Sequence, residues 1–196
     1  MCRANDKLIA FSYVFDKFVE YQRNEVTPHW SDSEIIQSFS NTRLMKLLYC
    51  LCLESIHKEN ELEFNETNLF SLFGEFSAFP NGPVLLDVYQ SLDIVPGFRY
   101  ENGRFVGYAL ERVQDTQKLK KIIGKFDETL EISFRRFTAR IGKELFGQRE
   151  KLVELTHKLP IWIQTYLYAP KQNMSVNSHE LLEEYEAYTK CVKLLK

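Results

Sequence analysis

Between positions 115 and 141 the apolar residues return every three or four places. Leu119, Ile122, Ile123, Phe126, Leu130, Phe134, Phe137 and Ile141 trace one stripe, and charged residues fill the gaps. That period belongs to an amphipathic helix rather than a strand. A stripe this long must be covered by other elements, so the chain is bound to a helix-on-helix core. Asp115 or Thr116 is the expected cap.

Shorter stretches repeat the pattern. Leu8, Phe11, Phe15, Phe18 and Val19 predict a helix over 6–21 with Asn5 as its cap. Asn24 to Ser33 reads as a connection. A second helix is expected after Ser40 or Asn41, with Leu44, Leu47, Leu48 and Leu51 on one side, Arg43 and Lys46 near its start, and an end near Glu54, His57 and Lys58. Asn65 is the expected cap of a third helix carrying Leu69, Leu72 and Phe73. The sequence Phe79-Pro80-Asn81-Gly82-Pro83 must turn. Pro83 fits the first turn of a following helix, which Val84, Val88 and Leu92 would continue. Asn102-Gly103, between short aromatic and β-branched runs, predicts a hairpin over 98–107. After Gly147, helices are expected at Arg149 to His157, Ile161 to Tyr168, and about His179 to Leu195, the last capped by Asn177 or Ser178. Pro170 to Ser175 reads as a polar linker. The expected fold is mainly α: a compact helical domain over 1–170 with one small β-hairpin, then a linker and a C-terminal amphipathic helix over 171–196. That last helix, with Leu181, Leu182, Tyr185, Tyr188 and Leu195, could pack on the body or on a second copy, which leaves a homo-oligomer open.

Signatures of chemistry are sparse. The formal charge is −2, with 25 basic and 27 acidic residues, so no basic footprint recommends nucleic acid. The N-terminal residues lack the pattern of a secretory signal, and no apolar run is long enough to span a bilayer, so a cytoplasmic location is expected. Four cysteines, Cys2, Cys50, Cys52 and Cys191, show no metal or redox spacing and suit a reducing compartment. His29, His57, His157 and His179 have no second ligand at metal spacing. Glycine-rich phosphate loops, nucleophile elbows and zinc-protease helices are missing from the sequence. Glu61 with Glu63, and Glu183 with Glu184, read as solvated carboxylates. In Phe134-Arg135-Arg136-Phe137 the aromatics are expected to face the core and the arginines to flank it. No cofactor, no metal and no enzymatic activity are expected.

Three stretches, in order, carry a resemblance. Ser40-Asn41-Thr42-Arg43-Leu44-Met45-Lys46-Leu47-Leu48-Tyr49 places a lysine ahead of Leu-Leu-Tyr. Phe76-Ser77-Ala78-Phe79-Pro80-Asn81-Gly82-Pro83-Val84 leads to Asp87-Val88-Tyr89. Leu152-Val153-Glu154-Leu155-Thr156-His157 is followed by Pro160 and Trp162. Together, over about Asp6 to Tyr168, they resemble the Panacea domain of SocA-like antitoxins in bacterial toxin–antitoxin systems. Departures are Phe79 where many members carry Trp, Arg43 where Lys is common, and Trp162 one residue later than in the tightest form.

The resemblance implies a protein that neutralises a cognate protein toxin by direct binding. It marks Asn41, Leu44, Lys46, Leu47, Leu48, Tyr49, Phe79, Gly82, Pro83, Val84, Val88, Tyr89, Thr156, His157 and Trp162 as structural or partner-binding positions. One branch of the family implies instead an adaptor that hands its partner to a protease. Antitoxins often bind their own operator DNA through a separate helix-turn-helix, but none is visible in this chain. Physically, Gly82-Pro83 makes a sharp corner. His157, near a helix C-terminus, would be favoured there as a cation by the helix dipole or would hydrogen-bond back to that corner.

Overall fold

The computed structural model describes residues 4–56, 68–109, 121–169, 172–174 and 178–195. Helices α1 (Ala4–Tyr21), α2 (Asp32–Ser38), α3 (Asn41–Glu54), α4 (Leu69–Phe73) and α5 (Leu86–Tyr89) come first, then α6 (Asp127–Gly147), α7 (Arg149–His157), α8 (Pro160–Tyr168) and α9 (Ser178–Leu195). Two antiparallel ribbons interrupt them, β1 (Ser77–Phe79) with β2 (Gly82–Val84), and β3 (Phe98–Glu101) with β4 (Arg104–Tyr108). The mainly helical class is as expected, but the described residues hold two ribbons rather than one. No helix among the described residues is long and apolar enough to cross a membrane.

Helix α3 is the axis. Ser40 caps it, its hydroxyl accepting from the Arg43 amide, and Arg43 through Glu54 are all buried. The expected one-sided stripe is therefore corrected: α3 is enclosed by α4, α6, α7, α9 and β2. A helix covered on every side must satisfy its polar residues internally. Arg43 and Lys46, read as lying near the helix start, are both inside. Arg43 donates from Nε to the Phe146 carbonyl at 2.9 Å and from Nη2 to Gln22 Oε1 at 2.7 Å, and its guanidinium lies 4.3 Å from the Phe39 ring centroid.

The Phe146 carbonyl is free to accept because it lies in the last turn of α6, a helix that is also broken within. The helix runs past the expected end at Ile141 to Gly147, but Gly142 takes φ 67° and ψ 171°, a conformation close to glycine-only. Its expected start at Asp115 or Thr116, the Asn177 cap and the Asn65 cap lie outside the described residues. Asn68, with Oδ1 3.1 Å from the Ser71 amide, caps α4. Asn5 lies inside α1, which already includes Ala4. The stretch taken as a connection holds a π-helical turn, Gln22–Val26, and the start of α2. Ser31 and Glu34 form a full capping box there.

The two Asn-Gly pairs turn differently. Asn102 and Gly103 both have positive φ, 51° and 80°, the mirror-type turn that suits a two-residue hairpin. At Asn81-Gly82 only the glycine is positive, at 97°. Pro80 fixes a negative φ at the first turn position, so a left-handed glycine must follow the turn instead. Pro83 consequently lies in β2 opposite Ala78, not in the first turn of a helix, and α5 begins at Leu86. The expected helix over Val84 to Leu92 becomes this short α5 and a 3-10 turn, Leu92–Ile94. The β3–β4 ribbon packs on α2, and Phe98 stacks on Phe15 at 4.2 Å. The segment 172–174 pairs along β1, the Ala78 amide donating to the Gln172 carbonyl at 3.0 Å and the Met174 amide to the Phe76 carbonyl at 2.7 Å. Helix α9 packs on the body: Leu181, Tyr188 and Val192 are buried, and Leu194 is exposed.

The break in α6 is testable. Gly142→Ala puts a Cβ on a backbone that L-residues avoid and lowers unfolding stability by about 1–3 kcal/mol. The midpoint of urea unfolding reads the loss.

Candidate functional site

The three stretches singled out in sequence meet at one joint. Helix α3 supplies Lys46, the β1–β2 ribbon supplies Phe79, Gly82 and Pro83, and the α7–α8 corner supplies Thr156, His157 and Trp162. Lys46 is 0% exposed. Its Nζ donates to the Pro83 carbonyl at 2.6 Å. That carbonyl is the polar group that β2 presents to α3.

Gly82 sits where the approach is closest. A Cβ there would lie 2.5 Å from Thr156 Oγ1 and 2.8 Å from Lys46 Cε. The φ of 97° is unsuitable for an L-residue as well. Glycine is thus demanded twice, by the turn and by the space between α3 and α7. Thr156 is fully buried, and its hydroxyl donates to the Val153 carbonyl one turn back at 3.1 Å.

His157 ends α7 and hydrogen-bonds the Pro80 backbone. Proline has no N–H, so the imidazole is the donor and the Pro80 carbonyl accepts. Its ring stacks on Trp162 at 4.2 Å with a 10° tilt, and Trp162 stacks on Tyr166 at 4.9 Å and 9°. The indole Nε1 donates to the Phe79 carbonyl at 3.0 Å. Two consecutive carbonyls of the hairpin loop, at Phe79 and Pro80, are therefore clamped by an aromatic pair from the α7–α8 corner. His157 does bond back to the hairpin, but to Pro80 and not to the Gly82-Pro83 corner itself. Burial, and secondarily the nearby Lys46, push its pKa down, only partly offset by the Pro80 bond, so the expected gain for a cation at the helix end is outweighed.

The remaining motif positions lie elsewhere. Leu44, Leu47, Leu48, Val84 and Val88 are core residues. Asn41 donates to the Tyr100 hydroxyl at 2.7 Å and the Gly103 carbonyl at 3.2 Å, tying α3 to the other ribbon. Tyr49 donates to Glu184 at 2.7 Å. Tyr89 is 41% exposed, on α5.

Several buried polar groups escaped the sequence reading. Glu184, taken as solvated, is 0% exposed, whereas Glu183 beside it is exposed. One residue along a helix turns a side chain by about 100°, enough to move it from water into the core. Glu54 is also buried, held by Arg140 Nε at 2.5 Å. Phe137 is buried and Phe134 packs partly against the core, as expected for that tract. Cys50 and Cys52 are buried free thiols, and burial pushes both pKa values far up, against the needs of a nucleophile. No group of three or more His, Cys, Asp or Glu that could hold a metal ion occurs among the described residues.

The centre of the joint, formed by Lys46, Gly82, Pro83 and Thr156, is buried, whereas at its edge Phe79 and His157 are partly exposed and Pro80 is exposed. Burial lowers the Lys46 pKa to about 7, with no carboxylate bonded to it among the described residues. A charged ammonium there costs stability, and a neutral amine still donates to Pro83. Comparison with protein families, with curated proteins and with solved structures finds no match for the chain.

Two tests follow from the geometry. Gly82→Ala should cost roughly 2–4 kcal/mol from overpacking and backbone strain combined. Adding Thr156→Ala should return part of that loss, which a double-mutant cycle in urea measures. The second test is the pH slope. Between about 7, the folded pKa of Lys46, and ~10.4, its unfolded value, the unfolded chain binds a proton that the folded chain does not. Stability contributed by this group therefore rises with pH across that window. Lys46→Met should flatten the rise in denaturation curves taken at pH 7 to 10.

Proposed function

We propose that this chain is an antitoxin of the Panacea type, acting in the cytoplasm by binding and neutralising a cognate protein toxin rather than by catalysis. The observation that carries this reading is the meeting of the three stretches on which the resemblance rests. They lie far apart in sequence, yet Lys46 bonds Pro83, Trp162 bonds Phe79, and Gly82 faces Thr156. A chance likeness at three separate places has no reason to converge on one joint. A true likeness does, because the joint is what such positions would build.

The reading also needs a surface for a partner. At the end of α8, Leu167 is 70% exposed and Tyr168 87% exposed. Helix α8 carries no charged residue, and its buried face is anchored by Ile161 and Trp162. Adjacent exposed apolar side chains on an uncharged helix are suited to an interface anchor. Tyrosine in particular supplies contact area with little side-chain entropy to lose.

A growth-rescue assay tests the function. The reading frame adjacent to this gene is induced with and without the chain, and any complex is pulled down. Restored growth with a co-purifying complex is the expected outcome. Toxicity without rescue or binding overturns the reading, and rescue that depends on a protease, with a shortened half-life of the partner, turns it into an adaptor. Leu167→Ser with Tyr168→Asp should weaken rescue and complex formation at least tenfold, as loss of a hot spot does, while leaving the melting temperature unchanged.

A further inference from the structure

Helix α9 is held against the body through a carboxyl group that meets no counter-charge among the described residues. Glu184 Oε1 accepts from the Tyr49 hydroxyl of α3 at 2.7 Å, and Oε2 accepts from the Ile161 amide of α8 at 2.8 Å. Three helices therefore meet at one side chain that is 0% exposed. The Cys50 thiol of α3 also faces it, without adding positive charge. Cations on the surrounding elements are engaged elsewhere. Lys46 of α3 is bonded to Pro83. Arg140 of α6 bonds Glu54 and the Tyr185 hydroxyl, and Arg136 also acts on Tyr185. Lys158, the residue just after α7, bonds Glu154 near Cys191. On α9 itself, His179 pairs with Glu183 at the exposed N-terminal end.

A buried carboxylate with two hydrogen bonds and no cation is only partly compensated for the water it has lost. A neutral carboxyl group suits the place better, since its carbonyl and hydroxyl oxygens can each still accept one of the two donors. We propose that α9 is a proton-dependent clasp, docked on α3 and α8 with Glu184 as the neutral acid and loosened when Glu184 gives up its proton. Loosening uncovers Leu181, Tyr188 and Val192 together with the part of α3 beneath them, which is a change in surface chemistry large enough to alter what the protein binds.

The sign follows from the direction of the shift. Burial raises the Glu184 pKa to about 7, against the Ile161 and Tyr49 hydrogen bonds, which lower it. In the undocked helix the group returns to ~4.3. Between these values the docked state holds a proton that the undocked state does not. Docking is therefore strongest in acid and weakens as pH rises toward and through neutrality.

Hydrogen exchange of the full chain at pH 5.5 and 8, corrected for the intrinsic pH dependence of amide exchange, reads this helix by helix. Protection across residues 178–195 should fall on the order of tenfold or more between the two conditions, while α3 keeps its protection. Glu184→Gln should remove that difference. Wild-type protection that does not change with pH, or an equal change in wild type and Glu184→Gln, overturns the proposal. Should Glu184→Gln fail to dock α9 at either pH, Tyr49→Phe decides. It removes a donor that favours the ionised form, so it should raise the docked pKa further and extend the loss to higher pH, enlarging the total change. A uniform loss at both pH values would show a merely structural contact and also overturn the clasp.

Discussion

Helix α3 is covered around its whole circumference, and its polar side chains can be satisfied only by other elements. Each one reaches a different neighbour. Arg43 binds Gln22 and the Phe146 carbonyl, Lys46 binds Pro83, Tyr49 binds Glu184 and Glu54 binds Arg140. The apolar residues of α3 supply most of the burial, but they would tolerate some sliding of their neighbours. Hydrogen bonds do not, because a buried donor or acceptor left without a partner costs about 1–3 kcal/mol. The apolar surface drives collapse onto α3, and the polar contacts of these four side chains fix which part of each neighbour arrives where.

The joint around Lys46 shows how tightly this is drawn. Gly82 leaves no room for a side chain, Thr156 turns its hydroxyl back onto its own helix, and the aromatic pair His157 and Trp162 takes two successive carbonyls of the hairpin loop. A loop this short has few carbonyls to offer, and here they serve as the attachment points for the α7–α8 corner. An apolar stack that also donates two hydrogen bonds is an economical way to bind a hairpin tip, since the same rings exclude water from the bonds they make.

The sequence was most informative where a periodic apolar stripe is long or a turn dipeptide is unambiguous. The limits of α3 and α7, and the Asn102-Gly103 ribbon, were legible for that reason. Helix α2 was missed because seven residues carry too little periodicity, although Ser31 and Glu34 spell a capping box ahead of Ile35 and Ile36. Pro83 was misplaced because proline suits both a first helical turn and a short strand that need not donate at that point. The joint itself was half visible. Resemblance picked out Lys46, Gly82 and His157, but nothing local says that Lys46 is enclosed, since a lysine on a buried helix and one on a solvated face look alike in sequence. Glu184 was invisible for the same reason, sitting beside the identical and exposed Glu183.

The spread of those α3 contacts along the chain bears on how the protein is made. Arg43 meets its carbonyl 103 residues later, Glu54 meets Arg140 after 86, and Tyr49 meets Glu184 after 135. During synthesis from the N-terminus, α3 leaves the ribosome long before those partners exist. Until α6 and then α9 have emerged, the growing chain carries an apolar helix with unmet polar groups. A chain cut before α6 would leave Arg43 and Glu54 without their partners, a product suited to chaperones and proteases.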